Sequence, residues 1–150
     1  MKKFAIRSCS LIMALVLAIG LCISASATEF APYASDYLSK YQGTVTAQGN
    51  GVVKISFLVI GTERIDEIGA SKIVVQEKDG NSWIPVKTYN NVDNPELSTT
   101  NDFSYSNYVL FDGDVGKTYR AKITIFGNTD FRTFTTASTS SSKLRSADFI

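Results

Sequence analysis

Hydrophobic and polar residues alternate along most of the chain after residue 43. The alternation is clearest where apolar residues take every second position, at Val53, Ile55, Phe57 and Val59. That spacing places side chains on one face of a β-strand. The positions between them include Leu58 and Ile60, which is typical of a central strand covered on both faces.

The same reading predicts seven strands, at residues 44–48, 52–60, 72–78, 83–89, 103–111, 117–126 and 131–137. Turn residues separate them at intervals typical of an all-β fold. Residues 61–70 are expected to be irregular, with Ile65 and Ile68 directed onto the core. Ser35 is predicted to cap a short helical turn over residues 36–41. These elements favour an antiparallel seven-stranded β-sandwich.

One strand start carries a recognisable feature, the sequence Gly116-Lys117-Thr118-Tyr119-Arg120-Ala121. A glycine turn followed by a tyrosine that opens a strand resembles the tyrosine corner of immunoglobulin-like and fibronectin type III domains. The resemblance implies that the Tyr119 hydroxyl hydrogen-bonds back to the preceding loop. It indicates a sandwich of one of these two types and implies no activity.

The N-terminal segment has the layout of a secretory signal peptide. Lys2, Lys3 and Arg7 precede an apolar run at residues 11–23, and a small-residue end follows at residues 25–27. The apolar run is shorter than a typical membrane-spanning helix. Attachment of a lipid to Cys22 is disfavoured because Leu21 precedes it. The sequence therefore predicts a secreted, extracellular protein.

The predicted organisation has four parts: a signal peptide at 1–27, an N-terminal segment with the short helical turn at 28–43, the β-sandwich domain at 44–137, and a flexible C-terminal tail at 138–150. The tail begins with a serine-rich stretch that is typical of flexible segments. It ends in Phe149 and Ile150, whose exposure the sequence leaves open.

The residue types present in the chain limit the kinds of catalytic and metal-binding site that it can form. Cys9 and Cys22 both lie in the predicted signal peptide, and the chain contains no histidine. A disulfide-free secreted domain is therefore expected, without thiol or serine–histidine catalysis, zinc or another cofactor. Residues 28–150 carry 12 Lys and Arg against 14 Asp and Glu. This balance argues against nucleic acid and membrane surfaces as partners.

The Asp and Glu residues leave two kinds of site possible, a hydrolase active site and a calcium site. Asp66 and Glu67 are adjacent, and Asp112 and Asp114 share a turn. A pair of carboxylates across a cleft would suit a small hydrolase. Oxygen-rich turns, including the segment 90–96, would suit calcium. Asp and Asn are also ordinary turn formers, so the sequence predicts neither catalytic nor metal-binding residues.

Aromatic residues give the better functional hypothesis. Trp83, Tyr89, Tyr105 and Tyr108 lie on the two predicted strands that flank the long polar loop 90–102. Exposed aromatic side chains stack on sugars or anchor partners, whereas buried ones pack the core. The sequence favours a non-catalytic extracellular module that binds a glycan or a protein, with oligomeric state undetermined. The alternatives are a carboxylate-dependent hydrolase and a structural secreted effector without a pocket.

A second resemblance spans more of the chain. Its segments are the signal peptide, residues 34–38 (Ala-Ser-Asp-Tyr-Leu), residues 66–73 (Asp-Glu-Ile-Gly-Ala-Ser-Lys-Ile) and residues 116–121. In order and spacing they look like an uncharacterised family of small secreted Gram-positive bacterial proteins. The resemblance implies a secreted β-rich domain and no particular activity.

Overall fold

The computed structural model describes residues 36–141. The predicted signal peptide at residues 1–27 lies outside this range, and so do residues 142–150. The described residues form seven β-strands: β1 (Leu38–Gly49), β2 (Val52–Asp79), β3 (Ser82–Asn90), β4 (Ser98–Asp112), β5 (Thr118–Gly127), β6 (Asp130–Thr135) and β7 (Thr139–Ser140). A short 3-10 helix, Pro95–Leu97, joins β3 to β4.

Every strand pairing is antiparallel, which confirms the predicted all-β, seven-stranded antiparallel fold. β2 organises the pairings because it has 28 residues and contacts four other strands. Its first part pairs with β1 and β4, and we call these three strands the first sheet. Its second part pairs with β3 and β5, and β5 also pairs with β6 and β7. We call this group the second sheet.

The two sheets share one core. Ile55 on the first sheet and Ile73 and Ile123 on the second are completely buried. Aromatic pairs join the inner faces: the ring centroids of Tyr41 and Phe134 lie 5.2 Å apart, as do those of Phe111 and Tyr119. The inner face of each sheet is thus covered by the other, as in a sandwich.

The chain passes from one sheet to the other without leaving β2. The register between β2 and β4 shifts between Ile60 and Ile65. Gly69 lies so close to the start of β4 that an added Cβ would be 2.3 Å from the Leu97 carbonyl oxygen. Ile65 and Ile68 are buried as expected, but they belong to the strand. The predicted irregular segment 61–70 is therefore wrong, and β2 contains two of the predicted strands.

The predicted helical turn at residues 36–41 is also wrong, because β1 begins at Leu38. Tyr41 pairs with Val59, and Leu38 is 4% exposed. The Ser39 hydroxyl donates to the Gly61 carbonyl oxygen at 3.1 Å. Long-range ladder bonds and burial here outweigh a local preference for a helical turn.

The chain after residue 137 is partly built into the fold. Thr139–Ser140 forms β7, and Ser141 is 3% exposed. The Ser141 N–H donates to the Lys117 carbonyl oxygen at 2.8 Å, and the Gly116 N–H donates to the Ser141 carbonyl oxygen at 3.0 Å. The predicted flexible tail at 138–150 therefore begins too early, because Thr139–Ser141 adds backbone hydrogen bonds to the edge of the second sheet.

The hydrogen bond expected between the Tyr119 hydroxyl and the preceding loop is confirmed. Tyr119 is 1% exposed, and its hydroxyl oxygen accepts a hydrogen bond from the Asp114 N–H at 2.8 Å. The same hydroxyl donates to Glu77 Oε2 at 3.1 Å, and Lys117 Nζ lies 2.9 Å from Glu77 Oε1. This cluster fixes the loop between β4 and β5 on the inner side of the second sheet.

Candidate functional site

Two of the four aromatic residues proposed as ligand contacts face the core. Tyr105 pairs with Val59, and its ring centroid is 6.0 Å from that of Phe57. Its hydroxyl donates to the Glu96 carbonyl oxygen at 2.5 Å. The Tyr89 hydroxyl donates to the Leu110 carbonyl oxygen at 2.9 Å, which joins the two sheets. Partial burial raises the pKa of Tyr89 above its ordinary value. Both tyrosine side chains therefore pack against the core.

The other two aromatic residues lie on outer faces, one on each sheet. Trp83 pairs with Lys78 on the second sheet and is partly buried. Tyr108 pairs with Ser56 on the first sheet and is 49% exposed. Because the sheets pack through their inner faces, their outer faces point in opposite directions. The structure therefore does not bring the four aromatic residues together into one platform.

The outer face of the second sheet has an uneven charge distribution, and we call it the basic face. Ile73 and Val75 of β2 and Ala121 and Ile123 of β5 point into the core. The residues alternating with them point outward, and they include four cations: Lys72, Lys78, Arg120 and Lys122. No Asp or Glu occupies an outward position on β2, β3, β5 or β6 of this sheet.

The carboxylates near this sheet lie at its inner rim or in turns. Glu77 is directed toward Tyr119 and Lys117, on the inner side. A hydrogen bond from Lys117 lowers the pKa of Glu77 below its ordinary value, and the same contact raises the pKa of Lys117. Asp114 lies in the loop before β5, and Asp79 ends β2 at the turn. The cations thus lie on the outer face of the second sheet, whereas the nearby carboxylates lie on its inner side or in turns.

Near one end of the basic face, an arginine is stacked on the tryptophan. The guanidinium carbon of Arg120 lies 4.2 Å from the centre of the Trp83 ring. Arg120 Nε donates to Oε1 of Gln76 at 2.8 Å, on β2, the strand that lies between Arg120 on β5 and Trp83 on β3. A guanidinium over an indole ring is a favourable cation–π contact. Together these contacts hold the indole in a fixed position on the sheet surface.

Toward the other end, the basic face contains a shallow hollow of about 320 Å³. Lys72, Val74, Lys122, Thr124 and Thr133 line it. Lys72 pairs with Thr124 and Val74 with Lys122, so the two lysines are diagonal neighbours on adjacent strands. The hydroxyl oxygens of Thr124 and Thr133 lie 2.9 Å apart. The hollow is thus lined by two lysines, one valine and two threonines whose hydroxyls hydrogen-bond to each other.

A second hollow, of about 110 Å³, lies on the first sheet between β1 and β2. Gln42, Thr44, Ser56 and Leu58 are among its lining residues. Neither of the two hollows has a carboxylate among its lining residues. The adjacent pair Asp66 and Glu67 lies on exposed positions of β2, away from both.

In the oxygen-rich segment 90–96, Asn90 and Asp93 are held by local hydrogen bonds. Asn90 Nδ2 donates to Asp93 Oδ2 at 2.7 Å, and the Asp93 N–H donates to Asn90 Oδ1 at 2.9 Å. Such contacts are typical of Asx turns. Within residues 36–141, no three acidic, histidine or cysteine side chains are grouped to hold a metal ion. Over the same range, no helix has the length and hydropathy to cross a membrane.

Sequence reasoning missed the basic face because it relied on net charge. Residues 36–141 carry 10 Lys and Arg against 12 Asp and Glu, a balance that indicates no anion-binding surface. The sequence feature that could have revealed this face is the position of each cation within its strand. Lys72, Arg120 and Lys122 lie next to buried residues, and Lys78 continues the two-residue period of Lys72 on β2. The pairing of those two strands brings the cations to one face.

Comparisons with known proteins add little to this geometry. No family model matches the chain, and no curated protein matches it. A solved structure, a family 76 glycoside hydrolase from a bovine Bacteroides thetaiotaomicron strain, aligns at 16% identity with a TM-score of 0.31. The alignment covers 71% of this chain but only 21% of that enzyme. A TM-score of this size establishes neither a shared fold nor a shared function.

Proposed function

We propose that this protein is a non-catalytic binding module and that its basic face contacts an extended glycan chain. The observation that carries the proposal is an open sheet face on which Arg120 fixes Trp83 beside outward-facing hydroxyl and amide side chains. An indole combines a large apolar surface with a polar N–H group. That combination suits a sugar, whose ring has an apolar C–H face and a rim of hydroxyls.

The chemistry of the face favours a glycan over a protein ligand. The buried centre of a protein–protein interface is apolar and depleted in charge. Here the central positions of β2 and β5 carry Gln76, Arg120 and Lys122, with Val74 as the apolar residue among them. On β6 the outward positions are Thr133 and Thr135, with the exposed ring of Phe131 at the end of the strand. Such a surface is matched by a ligand that offers hydroxyl groups along its length.

The shape of the surface favours binding over hydrolysis. A glycosidase places two carboxyl groups roughly 5 to 10 Å apart across the sugar. The hollow on the basic face is instead lined by lysines, threonines and a valine. The predicted signal peptide supports the further proposal that binding takes place outside the cell.

The proposal is tested by changing one outer-face aromatic at a time and measuring affinity on a panel of neutral and charged polysaccharides. Trp83→Ala removes the indole ring on which Arg120 is stacked, and we expect at least a roughly tenfold loss of affinity for the bound glycan. Tyr108→Ala is the matched control, because Tyr108 also lies under a cation, with Lys54 Nζ 4.2 Å from its ring centre. It should bind within about twofold of wild type, since it lies on the opposite face.

Equal thermal stability of the two variants would show that neither effect arises from unfolding. A loss in Tyr108→Ala without one in Trp83→Ala would contradict the assignment of the face. Absence of binding to every polysaccharide would overturn the proposed function itself.

A further inference from the structure

We infer that the ligand of the basic face is a polyanion, and that the hollow between Lys72 and Lys122 holds one of its carboxylate or phosphate groups. This inference rests on the proposed function, since it assigns a chemical class to the ligand of the same face. It depends on separate observations: the charges, the shape of the hollow and the spacing along the strands.

The first observation is that the cations of this face have no anionic partner in the described chain. The ion pairs between described residues, Lys117 with Glu77 and Arg132 with Asp130, lie outside the set of four. Arg120 bonds to the neutral amide of Gln76. Like charges on one open face repel one another, and an anionic ligand would relieve that repulsion. The face is therefore complementary to negative charge.

The second observation is the arrangement of donors at the hollow. Diagonal neighbours on antiparallel strands lie about 7 to 8 Å apart, a gap that two lysine side chains can close around a single anion. An ammonium group has three donors and no acceptor, and a threonine hydroxyl adds a further donor. Lys72 and Lys122 thus provide donors at the hollow, with Val74 as the apolar residue of its lining. Because the Thr124 and Thr133 hydroxyls hydrogen-bond to each other, one of the two keeps a proton to donate to a ligand. This set suits the oxygens of a carboxylate or a phosphate.

The third observation is the length over which the charges extend. Lys72 and Lys78 are six residues apart on β2, which corresponds to about 20 Å along an extended strand. Arg120 and Trp83 lie toward the Lys78 end, beyond the hollow. A small anion would contact one end only. A chain with repeated anionic groups would contact the hollow, the stacked ring and Lys78 in turn.

A nucleic acid would also present repeated anions, but the rest of the molecule argues against it. Carboxylates outnumber cations in residues 36–141, and only four cations share the face. Proteins that bind single strands combine a positive groove with several aromatic stacking positions. The basic face instead has two separated rings, Trp83 near its Lys78 end and the exposed Phe131 of β6 beyond the hollow. We therefore assign an acidic glycan and treat RNA as an outcome of the test.

The experiment compares polygalacturonate with its fully methyl-esterified form, which keeps the sugar backbone and removes the charge. Poly(glycerol phosphate) replaces carboxylate by phosphate, and a single-stranded RNA of similar length is the competing polyanion. Binding of the full-length protein is measured at low and moderate salt. We expect the charged glycan to bind at least roughly tenfold more tightly than its ester, with an affinity that falls as salt rises.

Variants at Lys72 and Lys122 show whether binding depends on the charge of these side chains or on their packing. Lys72→Gln/Lys122→Gln should lose at least roughly tenfold in affinity and most of the salt dependence. Lys72→Arg/Lys122→Arg should retain binding, because the charge remains. Lys40→Gln/Lys87→Gln removes two exposed cations that lie away from the basic face and should bind like wild type.

The outcomes distinguish this inference from the proposed function. If ester and acid bind equally and Trp83→Ala abolishes both, the glycan-binding module stands and the polyanion inference is overturned. If only poly(glycerol phosphate) binds, the anionic site stands with phosphate as its ligand, but the assignment of a glycan is overturned because this polymer contains no sugar. If RNA binds more tightly than either charged polymer, or if the Lys40→Gln/Lys87→Gln variant loses as much affinity as Lys72→Gln/Lys122→Gln, the inference is wrong.

Discussion

At the scale of single residues, Tyr119 makes two hydrogen bonds from a buried position. Its hydroxyl accepts from the Asp114 N–H and donates to the Glu77 carboxylate. Removal of one member of a partly buried hydrogen bond leaves its partner without a bond that water replaces only in part. Tyr119 therefore stabilises the loop between β4 and β5 as well as filling space in the core.

Tyr119→Phe keeps the ring and removes both hydrogen bonds. We expect the free energy of unfolding to fall by about 1 to 3 kcal/mol, measured by urea denaturation with an unchanged m-value. Tyr108→Phe is the control, because the Tyr108 side chain is 49% exposed and its hydroxyl has no hydrogen-bond partner in the described chain. Equal losses in the two variants would contradict a specific role for the corner.

The Glu77 carboxylate makes the stability of the cluster around Tyr119 depend on pH. Its pKa lies below the ordinary value of 4.5 because Lys117 hydrogen-bonds to the charged form. A carboxyl group whose pKa is lowered by folding stabilises the native state above the unfolded pKa. That contribution is lost as the pH falls through the lower, native pKa.

The melting temperature of wild type should therefore exceed that of Glu77→Gln at neutral pH, and the difference should shrink as the pH falls below about 4.5. Thermal melts of both proteins at a series of pH values measure this difference. Glu63→Gln is the control, because Glu63 is exposed and makes no ion pair in the described chain. A wild-type advantage that grows at acid pH would show that the Glu77 contact does not stabilise the fold.

At the scale of elements, the sandwich depends on the passage of β2 from one sheet to the other. Gly69 sits at this passage, and an added Cβ would lie 2.3 Å from the Leu97 carbonyl oxygen and 2.5 Å from Ser98 Cα. Both are backbone atoms, so relief requires movement of the start of β4. The close approach of the two strands is possible because position 69 has no side chain.

Gly69→Ala should lower the free energy of unfolding by about 1 to 3 kcal/mol or more through this overlap, again measured by urea denaturation. Gly80→Ala is a useful comparison, because its added Cβ meets nothing within 4 Å although its φ is +57°. It should cost only the roughly 1 kcal/mol of a left-handed backbone. A Gly69→Ala variant no less stable than Gly80→Ala would argue against the close contact.

Strand content was predictable from local alternation, but strand continuity was not. Val53 to Val59 and Ile73 with Val75 each follow the two-residue period, so both segments were recognised. The segment between them places Ile65 and Ile68 three residues apart, which resembles a helical spacing. Shifts in the pairing register and the contact with β4 keep these residues in the strand. Such long-range contacts leave no local signal.

At the scale of the whole molecule, the distribution of charge determines the candidate site. The sequence identified Trp83 as a candidate contact, and the structure places it on an outer face. The sequence did not identify Lys72 and Lys122, which are 50 positions apart in the chain and become neighbours only through the pairing of β2 with β5. The net charge of the chain does not show how cations and carboxylates are distributed over its surface. The candidate site could therefore be identified only once the pairing of the strands was known.

The shared strand β2 also has a consequence for how the protein unfolds. Because this one strand supplies hydrogen bonds to four others, neither sheet is a separable unit. Loss of the second sheet would release the strand that lies between β1 and β4 in the first. The described fold is therefore expected to melt in one cooperative transition, and the single tryptophan on the second sheet reports on the state of both.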